Sequence, residues 1–226
     1  MTLCERSCSN LYLMSSECLI LLDAGHGGLD PAGQYTTSPS KEYKHAKGQF
    51  HKEGSFYEGV WNRTLVHAVA SKLRDLNHPF VLLSHPWLDL SLTYRVEKAN
   101  WYYKHYPNCV LVSSHANASL SHTARGFEVY TTPGQTRSDD LADIYWGHVE
   151  SLLGKEITMR SDLSDGDRDK EAGYQIIRDS KMPAILIEHL FFDQYEDAVL
   201  LFREDVIERF AEAQVRALLD FFAKTP

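Results

Sequence analysis

The chain has 226 residues, 43% hydrophobic and 24% charged, with a formal net charge of -8. That length suits one large α/β domain with a real core, falls short of two, and leaves no room for wholesale disorder. With 31 acidic against 23 basic residues there is neither the basic footprint of a nucleic-acid binder nor a polybasic membrane signal, and no apolar run approaches the ~20 residues of a membrane span.

Residues 1–17 read as an extension ahead of a domain at 18–226, with Met14 as an alternative start. The stretch MTLCERSCSNLYLM lacks the basic start and apolar core of a secretory signal. Cys4 and Cys8 have no second pair at zinc-site spacing, while Cys18 and Cys109 sit in apolar runs as buried thiols, which suits a reduced compartment at synthesis. The first strand is expected at Leu19 to Leu22. It leads into DAGHGG, where glycines allow a sharp turn and present His26, either to water or as a ligand at a strand's carboxyl end. Residues Leu29 to Tyr57 show no apolar period. A loop of that length in a compact domain is often functional, and here it is expected to wall a cleft, with His45 and His51 solvated.

Trp61, Leu65, Ala68, Val69, Leu73 and Leu76 recur at three- and four-residue steps and predict a helix from Glu58 to Leu76. Ser55 and Glu58 fit a capping box at its start, a structural use for Glu58 that competes with a functional one. A strand at Phe80 to Leu83 follows, then a helix through Leu92, Val96, Ala99 and Tyr103. Next come strands at Val110 to Ser113, Phe127 to Tyr130, Tyr174 to Ile177 and Ala184 to Ile187, with His148 on an intervening helix. A last amphipathic helix runs from about Val206 to Phe222. Alternating strands and helices predict a single α/β domain, a twisted and mostly parallel sheet flanked by helices on both faces, with its site beyond the strands' carboxyl ends.

Four polar groups fall at such places: His26, His115 after Val110 to Ser113, Glu188 after Ala184 to Ile187, and Glu58 at a helix start. A carboxylate ending a buried strand needs a partner or a task, because desolvation disfavours its charge. Two histidines and a carboxylate form a known zinc shell with one position open for water. His26, Glu58 and His115 fit it, with Glu188 nearby as a proton shuttle. His189 is expected on the opposite face of its strand.

These residues carry a family resemblance. LLDAGHGG, YEGVWNRTLVHAVASKL, SLTYRVEKAN, VLVSSHANAS, ARGFEVYTT and RDKEAGYQIIRDSKMPAILIEHLFF, in this order from about Cys18 to Ala223, resemble the zinc-dependent N-acetylmuramoyl-L-alanine amidases of the family called Amidase_3. The resemblance implies that His26, Glu58 and His115 bind one zinc ion and that Glu188 is catalytic. It also implies the substrate, the peptidoglycan amide joining the lactyl group of N-acetylmuramic acid to L-alanine of the stem peptide. Glu188 would move a proton from water to the leaving amine. Asn117 is a candidate donor to the developing oxyanion, and Arg125 a candidate to steady the site or bind a substrate carboxylate. Two features depart from the family pattern, the long loop from Leu29 to Tyr57 and the run His189-Leu190-Phe191-Phe192 after Glu188. Two rival functions are a zinc peptidase cutting within the stem peptide and a non-catalytic wall-binding or regulatory module. A catalytic domain made in the cytoplasm without an export signal suits a phage or prophage endolysin, ahead of a delivered effector or an autolysin.

Overall fold

LILLDA forms β1 (Leu19–Ala24), buried at every position as a central parallel strand must be. This computed structural model describes residues 18–224 apart from positions 38, 40 and 165, so Met14, Cys4, Cys8 and the extension at 1–17 lie outside the described residues. After β1 come β2 (Glu42–Lys44), β3 (Ser55–Tyr57), α1 (Glu58–Asp75), β4 (Phe80–Leu82) and α2 (Leu92–His105). Then follow β5 (Cys109–Asn117), β6 (Glu128–Thr131), α3 (Arg137–Leu153), β7 (Lys170–Glu171) and α4 (Gln175–Arg178). The chain closes with β8 (Ala184–Phe191), α5 (Tyr195–Leu201) and α6 (Glu204–Ala223). The main sheet runs β4-β1-β5-β8-β6-β7. Its first four strands are parallel, β6 runs against β8, and β7 follows β6. No helix among the described residues is long and apolar enough to cross a membrane.

The two-residue strand period sorts the core into two layers. Ile20, Leu22, Val110, Val112, Ile185 and Ile187 face one way and pack with α1, α3 and α6. Leu19, Leu21, Cys109, Leu111, Ala184 and Leu186 face the other way and meet α2 and α4. Here the strand expected at Tyr174 to Ile177 is corrected, because Gln175–Arg178 is one helical turn. A strand would send Ile176 and Ile177 to opposite faces, whereas the turn lets both enter the second layer.

The 29–57 segment is also ordered differently from expectation. β2 and β3 pair antiparallel within it, and His45 and His51 are packed rather than solvated. His45 Nε2 donates to the Phe192 carbonyl (2.9 Å), and His51 Nδ1 accepts the Tyr57 amide (2.9 Å). Both rings stand against aromatic neighbours, His45 beside Phe50 and His51 beside Phe56 and Phe202. Burial lowers the pKa of His45, and pushes His51 down to about 4.

Beneath the sheet's carboxyl edge, two arginines grip the turn that follows β1. Arg63 of α1 donates to the carbonyls of His26 (2.7 Å), Gly27 (2.8 Å) and Gly59 (2.8 Å). Arg95 of α2 bonds Asp23 (3.2 Å), Asp89 (3.0 Å) and the carbonyls of Ala24 and His26 (both 3.2 Å). Asp23 also accepts from Ser113 (2.8 Å), and both Asp23 and Arg95 are buried.

Two predictions follow from this packing. Arg95→Met strands the buried Asp23 carboxylate and is expected to cost about 3–5 kcal/mol, a Tm loss on the order of 10 °C, measured by calorimetry. Adding Asp23→Asn should recover part of that loss, and additive single losses would mean the pair is uncoupled. The second concerns pH. The unfolded chain protonates His51 near its ordinary value of 6.5 and the folded chain only near 4. The unfolded state therefore binds more protons in that window, and stability present in full above 6.5 is lost as pH falls towards 4. Tm should drop between pH 7 and pH 5, and His51→Asn should remove about 4 °C of the drop. An unchanged slope would show that His51 is protonated as readily in the folded protein.

Candidate metal centre

His26 reaches the site because its backbone takes the left-handed conformation, φ 64°. That conformation is costly for a residue other than glycine, and the arginine grip on the surrounding carbonyls holds it there. Gly25 and Gly59 permit the approach of neighbouring groups. A Cβ at Gly25 would lie 2.1 Å from the His115 ring, and one at Gly59 would lie 1.9 Å from the Gly27 carbonyl oxygen.

Glu58 opens α1, but the capping box does not form. The N-cap is Tyr57, which makes no side-chain cap, and Ser55 lies in β3. Pairing β3 with β2 takes Ser55 out of capping geometry and frees the Glu58 carboxylate. Its Oε1 lies 2.9 Å from His115 Nδ1 and 3.2 Å from His26 Nε2. Asn62, one turn along α1, donates to Glu58 Oε1 (3.3 Å) and to the Gly25 carbonyl (3.1 Å). The two imidazoles stand edge to face with centroids 5.0 Å apart. Donor atoms of His26, Glu58 and His115 all lie within 4.8 Å of one another, so the three can hold a metal ion. His26 Nε2 and Glu58 Oε2 are buried without hydrogen-bond partners, which is how ligand atoms aimed at a cation would be left.

The surroundings separate the two carboxylates. Burial alone would raise Glu58, but His26 and His115 outweigh it and hold the group below the usual carboxylate range. Burial lowers His115. Glu188 sits on β8 directly opposite His115 of β5. Burial, reinforced by the Glu58 charge, pushes Glu188 well above the ordinary value, and its Oε2 has no hydrogen-bond partner. A buried carboxyl with raised proton affinity beside one that stays ionised is a pairing suited to acid–base chemistry.

The other sequence candidates are engaged elsewhere. Asn117 gives its amide to Glu128 (2.9 Å) and accepts the Ala118 N–H (2.8 Å). Arg125 pairs with Asp197 of α5 (2.8 Å). His189 does face the opposite side from Glu188. Its Nδ1 donates to the His115 carbonyl (2.9 Å), so its Nε2 accepts from Tyr145 (3.0 Å). Burial takes His189 down to about 3, which keeps the ring neutral as a prop behind His115. Sequence reasoning missed Arg63, Arg95, Lys41 and Tyr35. Lys41 Nζ stands 3.7 Å from Glu58 Oε2, and Tyr35 accepts the Gly59 amide (3.0 Å). The available signal was an arginine beside each apolar helix stripe, next to Trp61 and Val96, where a buried cation demands partners.

Comparison with known proteins places the chain in a family. Residues 20–220 match the family described as N-acetylmuramoyl-L-alanine amidase. An endolysin of Bacillus phage SPP1 is 25% identical over 209 residues, covering 89% of this chain and 65% of that protein. The N-acetylmuramoyl-L-alanine amidase CwlM of Bacillus licheniformis is 26% identical over 204 residues, covering 90% of this chain and 68% of its own. The chain thus spans about two thirds of the length of these relatives. Among solved structures, an N-acetylmuramoyl-L-alanine amidase from Clostridium difficile 630 is 26% identical with a TM-score of 0.71, covering 94% of this chain and all of that one. The chain belongs to the N-acetylmuramoyl-L-alanine amidase family, Amidase_3.

Proposed function

We propose that residues 18–226 form a zinc-dependent hydrolase domain that cleaves the amide between the lactyl group of N-acetylmuramic acid and L-alanine of the peptidoglycan stem peptide. The observation that carries this reading is the convergence of His26, Glu58 and His115, with two unpartnered buried donor atoms, beside the separately buried Glu188. Two nitrogens and one carboxylate oxygen are a donor set that zinc takes. The other candidate cation group among the described residues, Asp139, Asp167 and Asp169, offers oxygen alone. Bound zinc would supply Lewis acidity towards the scissile carbonyl and towards water.

The residues of the chain do the rest. Glu58 stays ionised and balances charge at the centre. Glu188 takes the proton from the water that adds to the carbonyl carbon, and returns it to the L-alanine nitrogen as the C–N bond breaks. Arg63 and Arg95 keep His26 in place throughout. We read the biological role as wall lysis of the endolysin kind, exerted on the cell wall after release or delivery, as the endolysin relative suggests.

Glu188→Ala is expected to retain one zinc per chain by elemental analysis and to lose at least 1,000-fold in turnover, a loss of the size general acid–base catalysis supports. His115→Ala and His26→Asn should lose zinc at submicromolar free metal. Asparagine tolerates the left-handed backbone at position 26, so that variant separates ligand loss from backbone strain. Wild-type turnover by the Glu188 variant would remove the shuttle role, and full zinc retention by either histidine variant would remove that residue from the centre. Digestion of purified peptidoglycan, read by mass spectrometry, should release intact stem peptides beginning with free L-alanine. Cuts inside the stem peptide would overturn the assigned bond.

A further inference from the structure

Glu128 is a buried carboxylate at the start of β6. It pairs in register with Glu188 of β8, which in turn pairs with His115 of β5. Register partners on neighbouring strands project from the same face, so His115, Glu188 and Glu128 form one row across the sheet. Glu128 accepts four hydrogen bonds: Arg160 Nε (2.5 Å), Lys170 Nζ (2.7 Å), the Tyr130 hydroxyl (2.7 Å) and Asn117 Nδ2 (2.9 Å). These donors hold it ionised against the opposing effect of burial.

One carboxylate shared by two cations leaves a surplus positive charge, in a chain of net charge -8. The Arg160 and Lys170 side chains remain 36% and 23% exposed. Lys170 spends one N–H on Glu128, and Arg160 spends Nε there and Nη1 weakly on the Arg125 carbonyl (3.4 Å), with no bond from its second amino group among the described residues and its guanidinium lying over the Phe191 ring at 5.3 Å. Asp162 is near enough to be felt but makes no ion pair with Lys170 among the described residues. Tyr130, the register partner of Lys170, meets the exposed ring of Tyr174 edge-on, which adds aromatic surface near by. Two part-exposed cations fixed by a buried anchor, with N–H groups to spare and aromatic surface near by, are built to take an anion.

We propose that Lys170 and Arg160, oriented by Glu128, recognise the free α-carboxylate of the residue that follows L-alanine on the peptide side of the scissile amide. This rests on the amidase reading, which puts the peptide leaving group beside Glu188. Lys170 and Arg160 are then specificity residues, and Glu128 is a positioning residue that touches no substrate.

The test compares two soluble substrates, N-acetylmuramoyl-L-alanyl-D-glutamate and its D-isoglutamine counterpart, which carries a carboxamide for the α-carboxylate. The zinc-loaded wild type should show a KM at least fivefold lower for the carboxylate form. Lys170→Met leaves Glu128 three donors and keeps the fold, checked by circular dichroism. It should raise KM for the carboxylate form about tenfold and bring the ratio of the two KM values close to one. Lys155→Met removes an exposed charge at the end of α3 and should leave the ratio unchanged. Equal KM values for the wild type, or an equal rise for both substrates in Lys170→Met, would overturn the proposal. Calorimetric Kd values for both compounds, in Glu188→Ala with and without Lys170→Met, give a readout that needs no turnover. A Lys170-dependent preference in binding without wild-type cleavage would keep the anion site and defeat the amidase reading. Cleavage with no such preference would do the reverse.

Discussion

The whole centre depends on holding one histidine in a conformation it does not favour. His26 is left-handed, and its position is defined by carbonyl oxygens rather than by packing of its own ring. Carbonyls pointing into a protein need donors, and Arg63 and Arg95 provide them from two helices on opposite sides of the sheet. A guanidinium suits the task because its donors form a rigid planar fork. Asp23 completes the arrangement by offsetting one of two adjacent positive charges. Arg63 still feels the strain: burial first, and Arg95 second, lower its pKa to about 10.

From that turn the electrostatics of the site follow. Glu58 and Glu188 are both buried glutamates near the same histidines, yet they are driven in opposite directions. Glu58 sits between two imidazoles and stays charged. Glu188 has no hydrogen-bond donor at Oε2 and feels the charge of Glu58 across the gap. The difference comes from position in the sheet. Glu58 arrives at the start of helix α1 and meets His26 and His115, while Glu188 lies in the strand row beside Glu128. Glu128 accepts four nearby donors, while Glu188 Oε2 is left without a partner.

Much of this was legible in the sequence, for identifiable reasons. The strands Leu19–Ala24, Cys109–Asn117 and Ala184–Phe191 announced themselves as short apolar runs, and the polar residues at their ends marked the site. Helix α1 and helix α6 showed in their apolar spacing. Tyr174 to Ile177 misled because two adjacent isoleucines look alike in a strand and in one turn of helix. Glu58 was ambiguous because a capping box and a ligand use the same residue type at the same place. The pairing of Ser55 with β2 removes the capping box. The arginine grip and the Glu128 cluster were hidden for another reason. Each joins residues far apart in the chain, Arg95 with Asp23 and Glu128 with Lys170, so a charge beside an apolar stripe signals that a partner exists but not which one.

The segment from Leu29 to Tyr57 and the run after Glu188, far apart in the chain, meet in the structure. The long segment from Leu29 to Tyr57 folds back as a hairpin over the end of β8, where the run His189-Leu190-Phe191-Phe192 lies. His45 from the segment donates to the Phe192 carbonyl, and Phe56 stacks on the Phe192 ring at 5.5 Å. Phe50 and His51 extend the same aromatic cluster to Phe202. A longer loop costs little in closure entropy, each doubling adding only about 0.6 kcal/mol, but it must still bury something to be fixed. The bulky run after Glu188 gives it that surface, where a small turn would not. In return the segment brings Tyr35 to the Gly59 amide and Lys41 to Glu58, so it ends at the candidate metal centre. A change on either side alone would leave aromatic surface uncovered, which is why the segment and the run are best understood as partners.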